Sequence, residues 1–286
     1  MSNSFSLTRR QFLKAALRLS AGAALFASSG GAYSTLIEPR WLSVDRIEVA
    51  LPRLPIDLDG FTLVQLSDFH HGTPASDDDL RAVVKTANQL KPDVIVLTGD
   101  YITRSVEHLA PCAQVLGSLR ATRGVFAILG NHDHWTDAEL VASALAANSI
   151  PVLRNAAAPI ERDGARLWLA GLDDVWEHKA DLDRALHSVP KNEATILLAH
   201  EPDFADVASH YPIDLQLSGH SHGGQVRVPF FGAPILPWLG RKYPIGLQHA
   251  GALPVYTNRG IGMVNPPLRF NCRPEVTLLT LRTSFA

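Results

Sequence analysis

The sequence predicts an α/β fold in which two mixed β-sheets pack together and helices flank them. From about residue 45 onward, short β-rich runs alternate with helical patterns. The first half has a βαβ rhythm, and the strands lie closer together in the second half. The 286 residues are 46% hydrophobic and 19% charged, enough to bury a sizeable core, which excludes a disordered or fibrous chain. Because no long polar linker divides this body, we expect one domain, residues 45–286.

In the first half, apolar runs predict buried strands and the segments between them predict helices. The predicted strands are residues 61–67, 94–98 and 125–129. The predicted helices are residues 76–90, which open with Ser76 and three aspartates, then 106–119, then a helix capped by Thr136 that runs to about residue 147. This order is typical of βαβ units.

The second half predicts a further set of strands with shorter connections. Residues 159–160 and 166–170 flank a Gly-containing turn and predict a β-hairpin. The other predicted strands are residues 195–199, 214–218, 225–228, 254–257 and 275–282. These runs make up a second set of strands.

Residues 1–37 read as a targeting segment, a twin-arginine-type signal or anchor. Arg9 and Arg10 precede Phe12-Leu13-Lys14, and residues 19–37 carry no charge. The apolar core is short for a membrane-spanning helix, and no clean Ala-x-Ala cleavage site follows, so an uncleaved anchor stays open. An amphipathic helix of the mature protein is the alternative. We expect recognition by the twin-arginine export machinery and a location in the periplasm or cell envelope.

Composition limits the chemistry of any site. With 26 Lys and Arg against 28 Asp and Glu, the net charge is −2, and no global basic field exists to attract nucleic acid. Two cysteines, Cys112 and Cys272, cannot form a disulfide framework or a thiolate zinc cluster. A metal site must therefore use carboxylates and some of the 12 histidines.

Five motifs place ligand-type side chains where predicted strands end, the position at which α/β sheets present functional groups. In Asp-x-His and His-x-His, both side chains lie on the same side of an extended segment. The motifs supply seven candidate ligands: Asp68, His70, Asp100, Asn131, His200, His220 and His222. Each motif alone is more often a turn, a helix cap or a solvated loop, but five in this order make an accidental set improbable.

The candidate ligands indicate the kind of metal. Imidazoles, carboxylates and an amide oxygen suit Mn, Fe or Zn better than Ca or Cu(I). Seven ligands exceed what one tetrahedral ion needs, whereas two ions that share a bridging carboxylate would use all seven.

These motifs resemble those of the calcineurin-like metallophosphoesterase superfamily: DxH, GD, GNH[DE], H and GHxH. The resemblance covers roughly residues 45–283 and is greatest to the exported YkuE/YaeI-type branch, through the runs GHSHGGQ, GRKYP and NRGIG. It implies a four-layer α/β/β/α sandwich. It also implies two divalent metal ions, one bound by Asp68, His70, Asp100 and His222, the other by Asp100, Asn131, His200 and His220.

The resemblance also implies the reaction. Two cations clamp a phosphate oxygen and activate a water for in-line attack. His132 matches the family histidine that contacts the phosphate and protonates the leaving group. Asp133 either orients His132 or has a purely structural role. We expect a phosphodiester or pyrophosphate substrate, with lipid as one option. A UDP-2,3-diacylglucosamine-type pyrophosphatase and a non-catalytic metal-binding scaffold are the alternatives.

Three features stand outside the motifs. His71 stands where the family commonly has Leu, and both His71 and His134 are expected to be solvated loop residues. Residues 230–239 are apolar and Pro-rich. They form either a buried loop over the core or an apolar wall or membrane-contacting rim near the metals, with Arg241 and Lys242 able to meet phosphate or anionic headgroups.

Overall fold

Two β-sheets form the centre of the protein, and the predicted fold class is confirmed. The computed structural model describes residues 8–72 and 74–284, apart from the side chains of residues 21–27. The strands are β1 Ser43–Leu51, β2 Thr62–Leu66, β3 Val94–Thr98, β4 Val125–Ile128, β5 Ala156–Arg162, β6 Ala165–Gly171, β7 Ala194–Leu198, β8 Leu215–Ser218, β9 Gly246–Ala250, β10 Leu253–Thr257 and β11 Glu275–Thr283. The helices are α1 Arg9–Ala32, α2 Asp77–Gln89, α3 Leu109–Leu116, α4 Asn131–Thr136, α5 Ala138–Ala147, α6 Leu182–Leu186 and α7 Ala205–Ala208.

Both sheets are mixed. The first has the order β1-β11-β2-β3-β4, in which β2, β3 and β4 are parallel and β11 is antiparallel to β2. The second has the order β5-β6-β7-β8-β10-β9, in which β6, β7, β8 and β10 are parallel and each edge pair is antiparallel. The parallel strands therefore end at the same edge of each sheet.

Three apolar layers separate the elements into a four-layer sandwich. The inner faces of the two sheets pack on each other through side chains such as Leu63 and Val96 of the first sheet and Ile196 and Leu217 of the second. Helices α2, α3 and α5 cover the outer face of the first sheet. Helices α6 and α7 cover the outer face of the second. Each parallel strand is buried on both faces, as its continuous apolar run predicts.

Four predicted details differ. Residues 225–228 are not a strand, because Gly223, Gly224 and Gln225 all have positive φ and turn the chain away from an extended path. The cap of α5 is Asp137, whose carboxylate accepts from Leu140 N, rather than Thr136. Residues 106–108 form a 3-10 turn ahead of α3. Edge strands β1 and β9 were not predicted, since their exposed and buried positions alternate without an apolar run.

The N-terminal segment forms a helix that joins the body through a short helical connection. Helix α1 contains Arg9 and Arg10 and begins at a capping box between Thr8 and Gln11. Residues 1–7 of the expected signal lie outside the described residues. Ser34 and Glu38 are buried against the body, where Ser34 O accepts from Arg269 N and the Glu38 carboxylate accepts from Cys272 N. Within the part of the chain that the structure describes, no helix has both the length and the apolar character needed to cross a bilayer.

Candidate metal centre

The seven predicted ligands converge where the parallel strands of both sheets end. Each follows a strand directly: Asp68 and His70 follow β2, Asp100 follows β3, Asn131 follows β4, His200 follows β7, and His220 and His222 follow β8. All seven side chains are at most 5% exposed. Five of them, Asp68, His70, Asp100, His220 and His222, have φ between +41° and +68°. Such left-handed backbone is costly outside glycine and clusters at functional sites.

One group of donor atoms comprises Asp68, His70 and His222. The two Nε2 atoms of His70 and His222 lie 3.0 Å apart, and His222 Nε2 is 3.3 Å from Asp68 Oδ1. His70 Nδ1 lies 2.6 Å from Thr103 Oγ1, which leaves its Nε2 facing the group. Bonds of about 2.0–2.2 Å to a metal imply separations of about 3–3.5 Å between neighbouring ligand atoms. The measured distances fit that spacing.

A second group comprises Asn131, His200 and His220, beside Asp100. His200 Nδ1 donates to Thr98 O at 2.6 Å, so its Nε2, which has no hydrogen-bond partner among the described residues, points at Asp100 Oδ2, 3.1 Å away. His220 Nε2 donates to Trp238 O at 2.8 Å, which leaves Nδ1 facing Asn131 Oδ1 at 3.1 Å. Backbone acceptors thus fix both ring tautomers, as is usual for metal-ligating histidines.

Asp100 lies between the two groups. Its Oδ2 is 3.5 Å from His70 Nε2 and 3.1 Å from His200 Nε2, and its Oδ1 accepts from His132 N at 2.9 Å. The carboxylate therefore occupies the position that a bridging ligand needs.

Burial keeps three of the four imidazoles in the neutral form that binds a metal. Burial lowers the pKa of His70 and of His220 to about 3 and that of His222 well below its usual value, so all three rings are neutral near pH 7. Burial raises the pKa of Asp68 to about 6. Burial acts against a charged His200, yet Asp100 and Asp68 raise its pKa well above the ordinary range. Buried carboxylates at this density need compensating cations, and the donor set fits divalent metal ions.

His132 lies between this centre and the solvent. Its half-buried ring packs edge-on against His70, with centroids 4.7 Å apart, and against Trp135 at the same distance. Burial lowers the pKa of the imidazole. The Asp133 carboxylate accepts from the backbone N–H groups of Asp100, Tyr101 and Gly130, each at 2.9 Å, and has no recorded bond to the His132 ring. Of the two roles considered for Asp133, the structural one is confirmed.

Two glycines allow the ligand loops to approach each other. A Cβ on Gly130 would stand 2.3 Å from Asp100 Oδ1, and one on Gly219 would stand 2.2 Å from Asp68 Oδ2. Any side chain at either position would displace a carboxylate of the centre.

The expectation of solvated loop histidines is wrong for both positions. His71 is 3% exposed and its Nε2 bonds Asp77 Oδ1 at 2.9 Å, at the start of α2. His134 Nε2 bonds Asp173 Oδ1 at 2.7 Å in a partly buried ion pair. Each histidine closes a loop of the centre onto a neighbouring acid instead of facing water.

Sequence reasoning missed an aromatic wall beside the centre. Trp176 contacts Trp135, Trp238 and His220 edge-on, with ring centroids 5.2–5.6 Å apart. The three tryptophans are far apart in the sequence: Trp135 follows the GNHD run and Trp238 lies in the apolar run 230–239, whereas Trp176 is near no motif.

The wall borders a cavity of about 340 Å³ that opens beside His132, His220 and His222. Trp135, Trp176, Pro234, Ile235 and Pro237 supply apolar lining. Among the described residues, the lining contains no Arg or Lys. The cavity is therefore suited to an apolar group attached to whatever the centre binds.

Comparison with known proteins agrees with this geometry. The family model described as calcineurin-like phosphoesterase matches residues 61–224, more than half of the chain. The chain belongs to the calcineurin-like phosphoesterase family. The matched range contains all five motifs, and the clustered His and Asp groups can hold the metal ions on which the family depends. Metal identity is not fixed by these groups.

Relatives that match over nearly their whole length indicate to which branch of the family the chain belongs. The metallophosphoesterase YkuE of Bacillus subtilis (strain 168) is 38% identical over 282 residues, covering 97% of this chain and 99% of that protein. Phosphodiesterase YaeI of Escherichia coli (strain K12) is 33% identical over 279 residues, covering 96% and 99%. Among solved structures, a dimetal phosphatase from Danio rerio is 14% identical with a TM-score of 0.46, covering 71% of this chain and 88% of that one. The two sequence relatives place the calcineurin-like chain in the expected YkuE and YaeI branch.

Proposed function

We propose that this metallophosphoesterase hydrolyses a phosphodiester bond with two divalent ions, Mn, Fe or Zn. Asp68, His70, Asp100 and His222 would hold one ion, and Asp100, Asn131, His200 and His220 the other. Two such ions neutralise phosphate oxygens and lower the pKa of a coordinated water. The observation that carries the proposal is the convergence of seven buried donor groups from both sheets, with ring nitrogens turned toward carboxylate oxygens.

His132 is the proposed general acid. Its ring is the half-exposed imidazole at the mouth of the centre. The backbone N–H of His132 donates to Asp100 Oδ1, which fixes the residue beside the candidate ligands. Burial lowers the pKa of the free His132 ring, so the negative charge of the bound phosphate would have to hold the ring protonated. As the bond from phosphorus to the leaving oxygen breaks, the proton of that imidazolium would pass to the leaving oxygen. Such a transfer contributes about 10²–10⁴-fold when the leaving group is a poor one.

A diester with an apolar arm fits the cavity better than a pyrophosphate. A pyrophosphate or a monoester brings a second negative charge, and the described lining offers no Arg or Lys to compensate it. The name of the relative YaeI, a phosphodiesterase, also supports the diester. A UDP-2,3-diacylglucosamine-type pyrophosphatase is therefore the second candidate, and the intact donor set and His132 favour an enzyme over a metal-binding scaffold.

Export to the periplasm or cell envelope by the twin-arginine machinery is part of the proposal. Arg9 and Arg10 in the first turn of α1, followed by the charge-free stretch, support it. A lipid phosphodiester of the envelope is then the substrate class available to the site.

The test uses the full chain stripped of metal and then loaded separately with Mn, Zn or Mg. We expect restored hydrolysis of bis-p-nitrophenyl phosphate that exceeds that of p-nitrophenyl phosphate. Asp100→Asn should abolish it, by on the order of 10³-fold or more, because a bridging ligand contributes several kcal/mol. Asp163→Asn, an exposed acid, is the matched control.

The leaving group separates the role of His132 from metal binding. p-Nitrophenolate leaves without a proton, so His132→Asn should reduce hydrolysis of an alkyl diester roughly 10²-fold more than hydrolysis of the nitrophenyl diester. Equal losses on both substrates would rule out the general acid. Preference for a UDP-linked acyl-glucosamine over every diester would instead favour the pyrophosphatase, and bound metal without turnover of any substrate would favour the scaffold.

A further inference from the structure

An exposed apolar loop lies beside the cavity. We call residues 228–239 the rim loop. Phe230 is fully exposed, Phe231 is 89% exposed and Ile235 is 79% exposed, and Trp238 is about half exposed. Single apolar side chains on a surface are ordinary, but four on one short loop form a patch of the kind that marks an interaction site. The rim loop is thus neither a buried cover over the core nor a regular element.

The rim loop is also part of the cavity wall. Its Pro234, Ile235 and Pro237 line the cavity, and Trp238 O accepts a hydrogen bond from His220 Nε2 at 2.8 Å. The apolar tip and the candidate metal centre are therefore two ends of one continuous surface.

The sequence around the rim loop is basic, and the acids that contact it, Asp203 and Asp206, bind the backbone of residues 241–243 and the Lys242 ammonium. Residues 215–274 contain six Arg and Lys and no Asp or Glu, although the whole chain has 28 acidic residues and a net charge of −2. Arg227 and Arg241 flank the loop, and within the described residues neither guanidinium has an ion-pair partner, since each bonds only a backbone carbonyl. An exposed apolar tip between two guanidinium groups without ion-pair partners is complementary to an anionic lipid surface.

We propose that the rim loop inserts into the interface of an anionic lipid bilayer, which places the cavity mouth at the level of the headgroups. The phosphodiester of a membrane phospholipid then reaches the centre along the apolar wall, without leaving the bilayer completely. This inference rests on the proposed phosphodiesterase function for the identity of the substrate, and the surface that docks is defined independently by the rim loop and its flanking cations.

The test measures binding of the full chain to vesicles of phosphatidylglycerol and phosphatidylcholine, with vesicles of phosphatidylcholine alone as reference. Because the cations of α1 also attract anionic lipid, every protein carries Arg9→Gln, Arg10→Gln, Lys14→Gln and Arg18→Gln. Phe230→Ser with Phe231→Ser should weaken binding roughly 10–100-fold. Ile56→Ser with Val207→Ser, two exposed apolar residues elsewhere, should leave binding unchanged.

Charge and catalysis provide two further readouts. Arg227→Gln with Arg241→Gln should weaken binding to the anionic vesicles roughly fivefold per charge, an effect that high salt removes. The Phe230 and Phe231 variant should hydrolyse soluble bis-p-nitrophenyl phosphate at the unchanged rate but lose at least about tenfold on phospholipid in vesicles.

Equal vesicle binding by the rim-loop variant and its control would overturn the proposal. So would a dimer that this variant converts to a monomer in sedimentation velocity, because the rim loop would then be an interface between copies of the chain. Vesicle binding through the rim loop without hydrolysis of any diester would support membrane docking and would refute the proposed phosphodiesterase activity instead.

Discussion

The candidate metal centre and the rim loop lie side by side but are built in opposite ways. Every ligand candidate of the centre is buried and follows a strand end, and backbone carbonyls or a hydroxyl fix the orientation of three of the four imidazole rings. The rim loop has no strand or helix among its residues, and its largest side chains face the solvent. The strand ends of the fold therefore position the candidate metal ligands, whereas the rim loop exposes apolar side chains that the fold does not bury.

The strongest way to break this comparison is to disturb the centre without touching a ligand. Gly130→Ala places a Cβ 2.3 Å from Asp100 Oδ1 and 2.8 Å from His200 Nε2, so the bridging carboxylate and a ring must move apart. We expect metal-dependent diester hydrolysis to fall on the order of 10³-fold, with reduced metal content by elemental analysis.

The control for that variant is Gly31→Ala in α1, where an added Cβ meets nothing within 4 Å. It should retain full activity and metal content. A Gly130→Ala protein with normal metal content and normal activity would mean that the two donor groups do not need the spacing that the structure gives them.

A substitution in the aromatic wall, with a smaller expected effect, tests the surface beside the centre and not the centre itself. Trp176→Leu removes ring contacts with Trp135 and Trp238 without removing a donor atom. We expect kcat/KM to fall roughly tenfold for a diester with a long alkyl arm and to stay unchanged for one with a methyl arm, since only the former reaches the wall. Exposed Trp41→Leu should alter neither, and an equal loss on both diesters would make the wall a support of the centre instead.

The contrast between strand-end motifs and irregular loops also explains which regions the sequence could predict. Parallel strands and their terminal motifs depend on local apolar runs and on turns, so the sequence alone could locate β2, β3, β4, β7 and β8 and the motif residues that follow them. Edge strands β1 and β9 were not, because pairing with β11 and β10 rather than a local pattern makes them strands. Residues 225–228 look β-rich, but the positive φ of Gln225 follows from packing that no local pattern encodes.

Tertiary partners explain the remaining differences at the site. His71 and His134 read as loop histidines because Asp77 and Asp173, which bury them, are chosen by the fold and not by sequence spacing alone. The aromatic wall joins one tryptophan from α4 with two from separate loops. The acid-free run of residues 215–274, by contrast, was readable in the sequence, and its meaning depended on finding the exposed side chains of the rim loop beside it.

The smallest expected effect concerns stability and involves the ion pair of His134 with Asp173. Burial lowers the pKa of His134, but the 2.7 Å bond to Asp173 Oδ1 outweighs it and raises the pKa overall. The pKa of Asp173 is lowered, since its bonds with His134 and Arg154 outweigh burial. The histidine contribution to stability is therefore complete below its unfolded pKa of about 6.5 and is lost as pH rises through the raised folded value, whereas the aspartate contribution is lost only as pH falls below about 4.

His134→Asn should lower Tm by roughly 2–4 °C more at pH 5.5 than at pH 9, which corresponds to about 1 kcal/mol. Thermal unfolding of both proteins at the two pH values, with exposed His187→Asn as the matched control, measures this difference, and a gap that is equal or larger at pH 9 would show that the pair is not ionised in the folded chain.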